Sequence, residues 1–163
     1  MDVLNRSFRR PALAGTETVV VTSCRAVNRI KVLLVDDHVV MRQALARLFC
    51  GEPDIEVVGE ASDGQIAVEM TRRIQPDVVL MDICMPRLNG IEATRQICAE
   101  LPDISVIALS MLEEARVSKA VLKAGAVAHL TKTADPCILT AAVRNCRIRQ
   151  RGNLKLPVSR QGY

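Results

Sequence analysis

The chain reads as an α/β protein, a doubly wound five-stranded parallel sheet in the order 2-1-3-4-5 with helices on both faces. Three observations predict it. Apolar runs of strand length alternate with stretches of helical period, five times over. The runs are continuous rather than alternating, as strands buried on both faces require. Most of them end in a polar residue, which marks one edge of the sheet as chemically distinct. Five β–α units with right-handed crossovers suit that strand order, and its ligand site falls beyond the carboxyl ends of strands 1 and 3.

"IKVLLV" (30–35) is the first strand. Val40, Met41, Ala44, Leu45 and Leu48 follow at helical spacing and predict a helix over 38–50, closed by Gly51 and Pro53. "IEVVGE" (55–60) is the second strand. Asp63 caps a helix over 64–74, with Ile66, Met70 and Ile74 on one face. After Pro76, "DVVLMD" (77–82) is the third strand. A helix over 88–99 turns Ile97 inward. Pro102 breaks the chain before "ISVIALS" (104–110), the fourth strand.

Glu113 and Glu114 open a helix that runs to Ala124, their charge favoured at its positive end. Val117, Val121 and Ala124 line its inner face, and Gly125 closes it. "AVAHLTK" (126–132) is the short fifth strand. Asp135 and Pro136 form a cap and first-position pair for a last helix ending near Ile148.

The domain accordingly spans 30–148. Residues 1–29 lack sustained periodicity and are expected to be a disordered extension, apart from a short strand at Val19–Val21. Residues 149–163 are expected to be a basic tail or a truncated linker. Net charge is +4, made of +3 over 1–29, −5 over 30–143 and +6 over 144–163. Basic ends attract nucleic acid or acidic proteins, but solvated tails explain them more simply.

Six cysteines are scattered with no CxxC pair, which disfavours a zinc ribbon or a dithiol redox site. "TVVVTSC" is too short for a secretory core and follows Glu17, and no stretch approaches a membrane span. A cytoplasmic protein with reduced thiols is expected, with no membrane partner. The Arg-rich, acid-poor N-terminal segment also leaves an organellar transit peptide open.

Asp36 and Asp37 end the first strand, Asp82 the third, Ser110 the fourth and Lys132 the fifth. The topology brings all of them to one edge. Capping the following helix needs only one of Asp36 and Asp37, so the pair points elsewhere. Three converging carboxylates call for a cation, and hard oxygen ligands select Mg²⁺ or a similar ion. A carboxylate flanked by a metal, an ammonium and a hydroxyl is suited to receive a phosphoryl group. Taken singly, Lys132 reads as a surface lysine and Ser110 as an ordinary strand end. Their shared edge lifts both. His38 is read as the first exposed residue of its helix.

"VLLVDDH", "DVVLMDICMPRLNGIEA", "VIALS" and "GAVAHLTK", in this order on alternating elements, resemble the receiver domain of two-component response regulators over about residues 30–148. The flavour is nearest to receivers of regulators carrying a LuxR-type helix-turn-helix. The resemblance implies a flavodoxin-like fold and a signalling switch rather than an enzyme. It implies that Asp82 accepts phosphate from a sensor histidine kinase or a phosphotransfer protein. Asp37 would bind Mg²⁺ directly, helped by Asp36, with Asp82 and the backbone carbonyl of Cys84 completing the protein ligands. Ser110 would be the switch hydroxyl and Lys132 the phosphoryl partner. Pro86 and Gly90 would shape the loop after the acceptor.

Output would use the surface of the fourth helix, fifth strand and fifth helix, carrying Arg116, Lys119, Lys123 and Arg144, for a partner or for homodimerisation through 113–148.

Several positions depart from the family pattern. His129 stands where an aromatic rotamer switch is usual, and imidazole changes rotamer but also titrates near neutrality. Ala128 and Thr133 replace a common glycine and proline. Cys84 and Leu112 occupy positions that tune hydrolysis of the phosphoaspartate, and neither orients a water well, which implies a long-lived adduct. The segment after residue 148 resembles a linker toward a DNA-binding domain, so a stand-alone receiver and a truncated regulator are both open. DNA is not expected as a partner without an output domain. Two other functions compete. An aspartyl-phosphate phosphatase would place a second Asp where Cys84 stands. A pseudo-receiver scaffold would not need the Asp37, Asp82, Ser110 and Lys132 set.

Overall fold

A computed structural model of the chain describes residues 29–111 and 114–152, with side chains through Arg147. The expectations for residues 1–28 and 153–163, and for Leu112 and Glu113, lie outside the described residues.

In chain order the elements are β1 (Ile30–Val35), α1 (Val39–Cys50), β2 (Ile55–Ala61), α2 (Gly64–Ile74), β3 (Val78–Asp82), α3 (Gly90–Glu100), β4 (Ser105–Ser110), α4 (Ala115–Lys123), β5 (Ala128–Thr131) and α5 (Pro136–Gly152). The five strands form one sheet in the order β2-β1-β3-β4-β5, all neighbours parallel. This is the flavodoxin-like arrangement expected. Val35 pairs with Met81, Asp82 with Leu109 and Ser110 with Thr131, so the polar strand ends lie level along one edge.

Strands buried on both faces explain the continuous apolar runs. Leu34 and Leu80 meet Phe49 of α1 and Leu139 and Val143 of α5 on one face. Leu33, Val35 and Met81 meet Ala67 and Val68 of α2 and Ile97 of α3 on the other. Each fully buried aliphatic side chain contributes about 1.5–3 kcal/mol on leaving water. A smaller cluster joins Ala108 and Ile83 to Val121 of α4.

Several element ends differ from expectation by one to four residues, and in three elements the local reason is plain. Helix α3 starts at Gly90 instead of residue 88, because Asn89 is the cap and its side chain accepts from the Glu92 N–H at 3.0 Å. Strand β5 is two residues shorter at its start and one at its end, as an edge strand with one pairing neighbour. Helix α5 runs on to Gly152 rather than ending near Ile148, since no glycine or proline interrupts it before that point.

One surface expectation is corrected. Arg144 does not belong with Arg116, Lys119 and Lys123. It turns toward the α1–β2 loop, where its guanidinium donates to Asp54 at 2.8 and 2.7 Å and to Glu52 at 2.5 Å. Two carboxylates on one loop captured a side chain whose direction the helix period alone left undetermined. Among the described residues no helix is long and apolar enough to cross a membrane.

Candidate functional site

The carboxyl edge gathers the predicted residues. Asp36 follows β1 directly and is fully buried. Its backbone N–H donates to Ala61, which continues the β1–β2 ladder and fixes the side chain's exit. Asp82 closes β3 and is also buried. The Lys132 ammonium, 4% exposed, lies between them, 2.6 Å from Asp36 Oδ2 and 2.9 Å from Asp82 Oδ2. Its own N–H donates to the Ser110 carbonyl at 2.7 Å, which ties it to the end of β4. Asp37 is more open. Ligand atoms of Asp36, Asp37, His38 and Asp82 all lie within 4.8 Å of one another.

The charges do not balance. Among the described residues Lys132 is the sole lysine or arginine paired with these three carboxylates. Two carboxylates 4.8 Å apart repel by roughly 3 kcal/mol at an effective dielectric of about 20. Burial pushes the Asp82 carboxyl above its ordinary range, Lys132 opposes this, and Asp36 adds to it. Burial pulls Lys132 down, but the hydrogen bonds and charges of Asp36 and Asp82 outweigh that and hold it above its ordinary value. The lysine therefore stays charged and leaves residual negative charge. Asp36 Oδ2 and Asp82 Oδ2 share the one Lys132 ammonium, and Asp37 Oδ1 faces the His38 ring. Buried, converging, hard oxygen donors with excess negative charge fit a divalent cation of the Mg²⁺ kind.

The loop after Asp82 is shaped closely. The Cys84 N–H donates to Asp82 Oδ1 at 3.2 Å. Gly90 passes so near that a Cβ there would sit 1.9 Å from the Asp82 carbonyl oxygen. Only glycine permits that approach. Arg87 adopts φ of 65°, a left-handed conformation costing a non-glycine residue about 1 kcal/mol. Its guanidinium pairs with buried Asp63, whose other oxygen caps α2 at 2.9 and 3.0 Å.

Other candidates fall as follows. Ser110 is buried, and its Oγ lies 2.8 Å from His129 Nε2. His129 Nδ1 in turn lies 2.5 Å from Ser118 Oγ on α4. Cys84 is exposed and borders a cleft of about 430 Å³ with Met41, Met111, Asp82 and Lys132. His38 is exposed but is not a helix residue. It is the extended N-cap of α1, and its Nδ1 lies 2.7 Å from Asp37 Oδ1. Sequence reasoning missed that contact, and with it Ser118, Arg87 and Asp63 as a pair. The signal for Ser118 was present: a small polar residue beside Val117 on the inward stripe of α4.

A doubly wound sheet with an unbalanced acid cluster at its switch point defines a class of phosphoryl-handling or metal-dependent α/β modules. Comparison with known proteins narrows this. A family model for the response regulator receiver domain matches residues 32–144, and the chain belongs to that family. LiaR, a transcriptional regulatory protein of Bacillus subtilis (strain 168), is 46% identical over 116 residues, covering 71% of this chain and 54% of LiaR. The receiver domain of the putative response regulator NarL from Mycobacterium tuberculosis superposes with a TM-score of 0.71 at 28% identity, over 77% of this chain and 98% of that one. The CheX–CheY–BeF3–Mg complex from Borrelia burgdorferi matches with a TM-score of 0.67 at 29% identity, over 71% of this chain and 87% of that one. The chain spans about half the length of the curated relatives it matches. Receivers of this family act mainly as signalling switches, typically with Mg²⁺.

Proposed function

We propose that this receiver is a switch phosphorylated on Asp82 by a cytoplasmic histidine kinase or phosphotransfer protein. The observation that carries the reading is Lys132, buried between Asp36 and Asp82 at 2.6 and 2.9 Å. An Asp82 carboxylate oxygen attacks the phosphorus of a phosphohistidine. The new O–P bond forms as the N–P bond breaks, and the departing imidazole takes a proton. Lys132 and Ser110 receive the phosphoryl oxygens. Asp36, Asp37, Asp82 and the Cys84 carbonyl would hold Mg²⁺, which when bound neutralises charge on the transferred group. The presence of Mg²⁺ and BeF3 in the CheX–CheY complex supports this assignment.

Signal output uses the α4–β5–α5 face, with Arg116, Lys119 and Lys123 as its exposed cations, toward a partner or a second copy through 113–148. The described part of the chain, 29–111 and 114–152, carries the switch, and the activity of any longer protein follows from what that face engages.

Incubation with acetyl phosphate and Mg²⁺ followed by intact-mass measurement tests the reading. One added phosphoryl group is expected, absent in Asp82→Asn. Its absence in the wild-type chain even with a kinase would instead favour an interaction scaffold, and steady phosphate release from small substrates an aspartyl-phosphate phosphatase. The adduct should persist for minutes or longer, because the exposed Cys84 thiol is a poor director of water. Decay within seconds would contradict that.

A further inference from the structure

His38 stands at the N-cap of α1, but its side chain does not cap the helix. Its backbone is extended, with φ −87° and ψ 109°, and the ring makes no bond to the first turn. The ring turns back to the acid cluster instead. Nδ1 lies 2.7 Å from Asp37 Oδ1 and 3.5 Å from Asp36 Oδ1. Two bonds set this corner of the chain. The His38 N–H donates to Asp36 Oδ1 at 2.9 Å, and the Arg42 guanidinium donates to the Asp36 carbonyl at 2.6 Å. We propose that His38 is a nitrogen ligand of the cation site at Asp36, Asp37 and Asp82, which fits that site to a first-row transition ion such as Mn²⁺ as well as to Mg²⁺. The inference rests on the reading of that cluster as a metal site.

The spacing suits a shared ion. Ligand atoms about 2.1 Å from one six-coordinate ion stand about 3.0 Å apart when adjacent and about 4.2 Å apart when opposite. The two Nδ1 separations, 2.7 and 3.5 Å, fall on either side of the adjacent value. One ligand atom each from Asp36, Asp37, His38 and Asp82 fits within 4.8 Å. Lys132 engages Asp36 through Oδ2, whereas His38 approaches Oδ1, so ammonium and ring use different atoms. A neutral imidazole has one N–H and one lone pair in its plane. Without an ion, a proton on Nδ1 makes the Asp37 contact a hydrogen bond. With one, Nδ1 turns its lone pair to the metal, and Nε2 of the exposed ring carries the proton. A neutral ring makes that exchange through solvent with no net gain or loss of protons.

The donor set decides the ion. Carboxylate oxygens suit Mg²⁺ and Mn²⁺ alike, whereas imidazole adds little to a hard Mg²⁺ and more to a transition ion. One nitrogen therefore shifts selectivity without removing Mg²⁺ binding. No thiol competes for the role among the described residues: Cys84 borders the same cleft but is outside the group that converges within 4.8 Å. The chain has two histidines, and the other, His129, is engaged by Ser110 and Ser118.

Pulsed electron paramagnetic resonance of Mn²⁺ bound to the untagged full chain tests this. Wild type should show a directly coordinated ¹⁴N that becomes ¹⁵N when histidine alone is labelled, and that is lost in His38→Gln. Free Mn²⁺ is counted from its continuous-wave signal, and Mg²⁺ affinity comes from competition in the same sample. His38→Ala should weaken Mn²⁺ binding by about fivefold or more while Mg²⁺ stays within about twofold. Bound Mn²⁺ without nitrogen coupling, or an equal loss of both ions in His38→Ala, overturns His38 as a ligand while leaving the carboxylate site in place. Mn²⁺ binding that is absent from wild type, or unchanged in Asp37→Asn, overturns the metal site itself along with this inference.

Discussion

The two flanks of the sheet differ in how tightly they are built. Around β1 and β3 nearly every strand residue is fully buried and the functional carboxylates are gripped by backbone and by Lys132. At the other flank β5 is only half-buried along its length, α4 buries Val121 alone among its residues, and His129 and Ser118 meet through side chains. The contrast teaches a division of labour. In the proposed switch, phosphoryl transfer, which needs groups fixed before the reaction, falls in the more buried half. The proposed output surface, which needs two arrangements of similar free energy, falls where few buried contacts oppose a shift.

Lys132→Ala strikes the rigid half hardest. It removes the ammonium between two buried carboxylates, and the rate of adduct formation from acetyl phosphate should fall by about 100-fold or more. A fall of less than tenfold would mean the charge is supplied elsewhere. Gly90→Ala tests the same half without touching a charge. The new methyl would overlap the Asp82 carbonyl, so urea unfolding should show a loss of about 3 kcal/mol together with slower adduct formation.

Val121→Ala addresses the loose half. It should cost about 1–2 kcal/mol in stability yet leave adduct formation within about twofold. A large loss of rate there would erase the distinction between the flanks.

The smallest effect concerns α5 and the α1–β2 loop. Arg144→Ala should lower Tm by about 2–4 °C, a modest change because the pair is partly exposed. The hydrogen bond from Arg144 holds Asp54 below its ordinary value of 3.8. A lowered carboxylate contributes stability above its unfolded pKa and loses it as pH falls through the folded one. Melting curves of wild type and variant should therefore differ near neutrality and converge in acid below about pH 4.

Much of this was legible beforehand, for identifiable reasons. Strand ends are marked where a buried apolar run stops at Asp36, Asp82, Ser110 or Lys132, and topology alone brings those ends together. Asp63 was legible as a cap because its position before Gly64 demands one. What stayed hidden depended on side-chain direction. The pairing of Arg144 with Glu52 and Asp54 joins positions 90 or more residues apart. The Ser118–His129 contact depends on how α4 is rotated over the sheet. The contact of His38 with Asp37 depends on one extended cap residue, and the far end of α5 on the absence of a stop signal before Gly152.

Asp63 carries a consequence of its own. One of its oxygens nails down the head of α2 and the other restrains the left-handed Arg87 in the segment that follows Asp82. A single carboxylate thus makes a surface helix and the β3–α3 loop mechanically accountable to each other. Whatever pries at α2 will be felt, through this one side chain, beside Asp82.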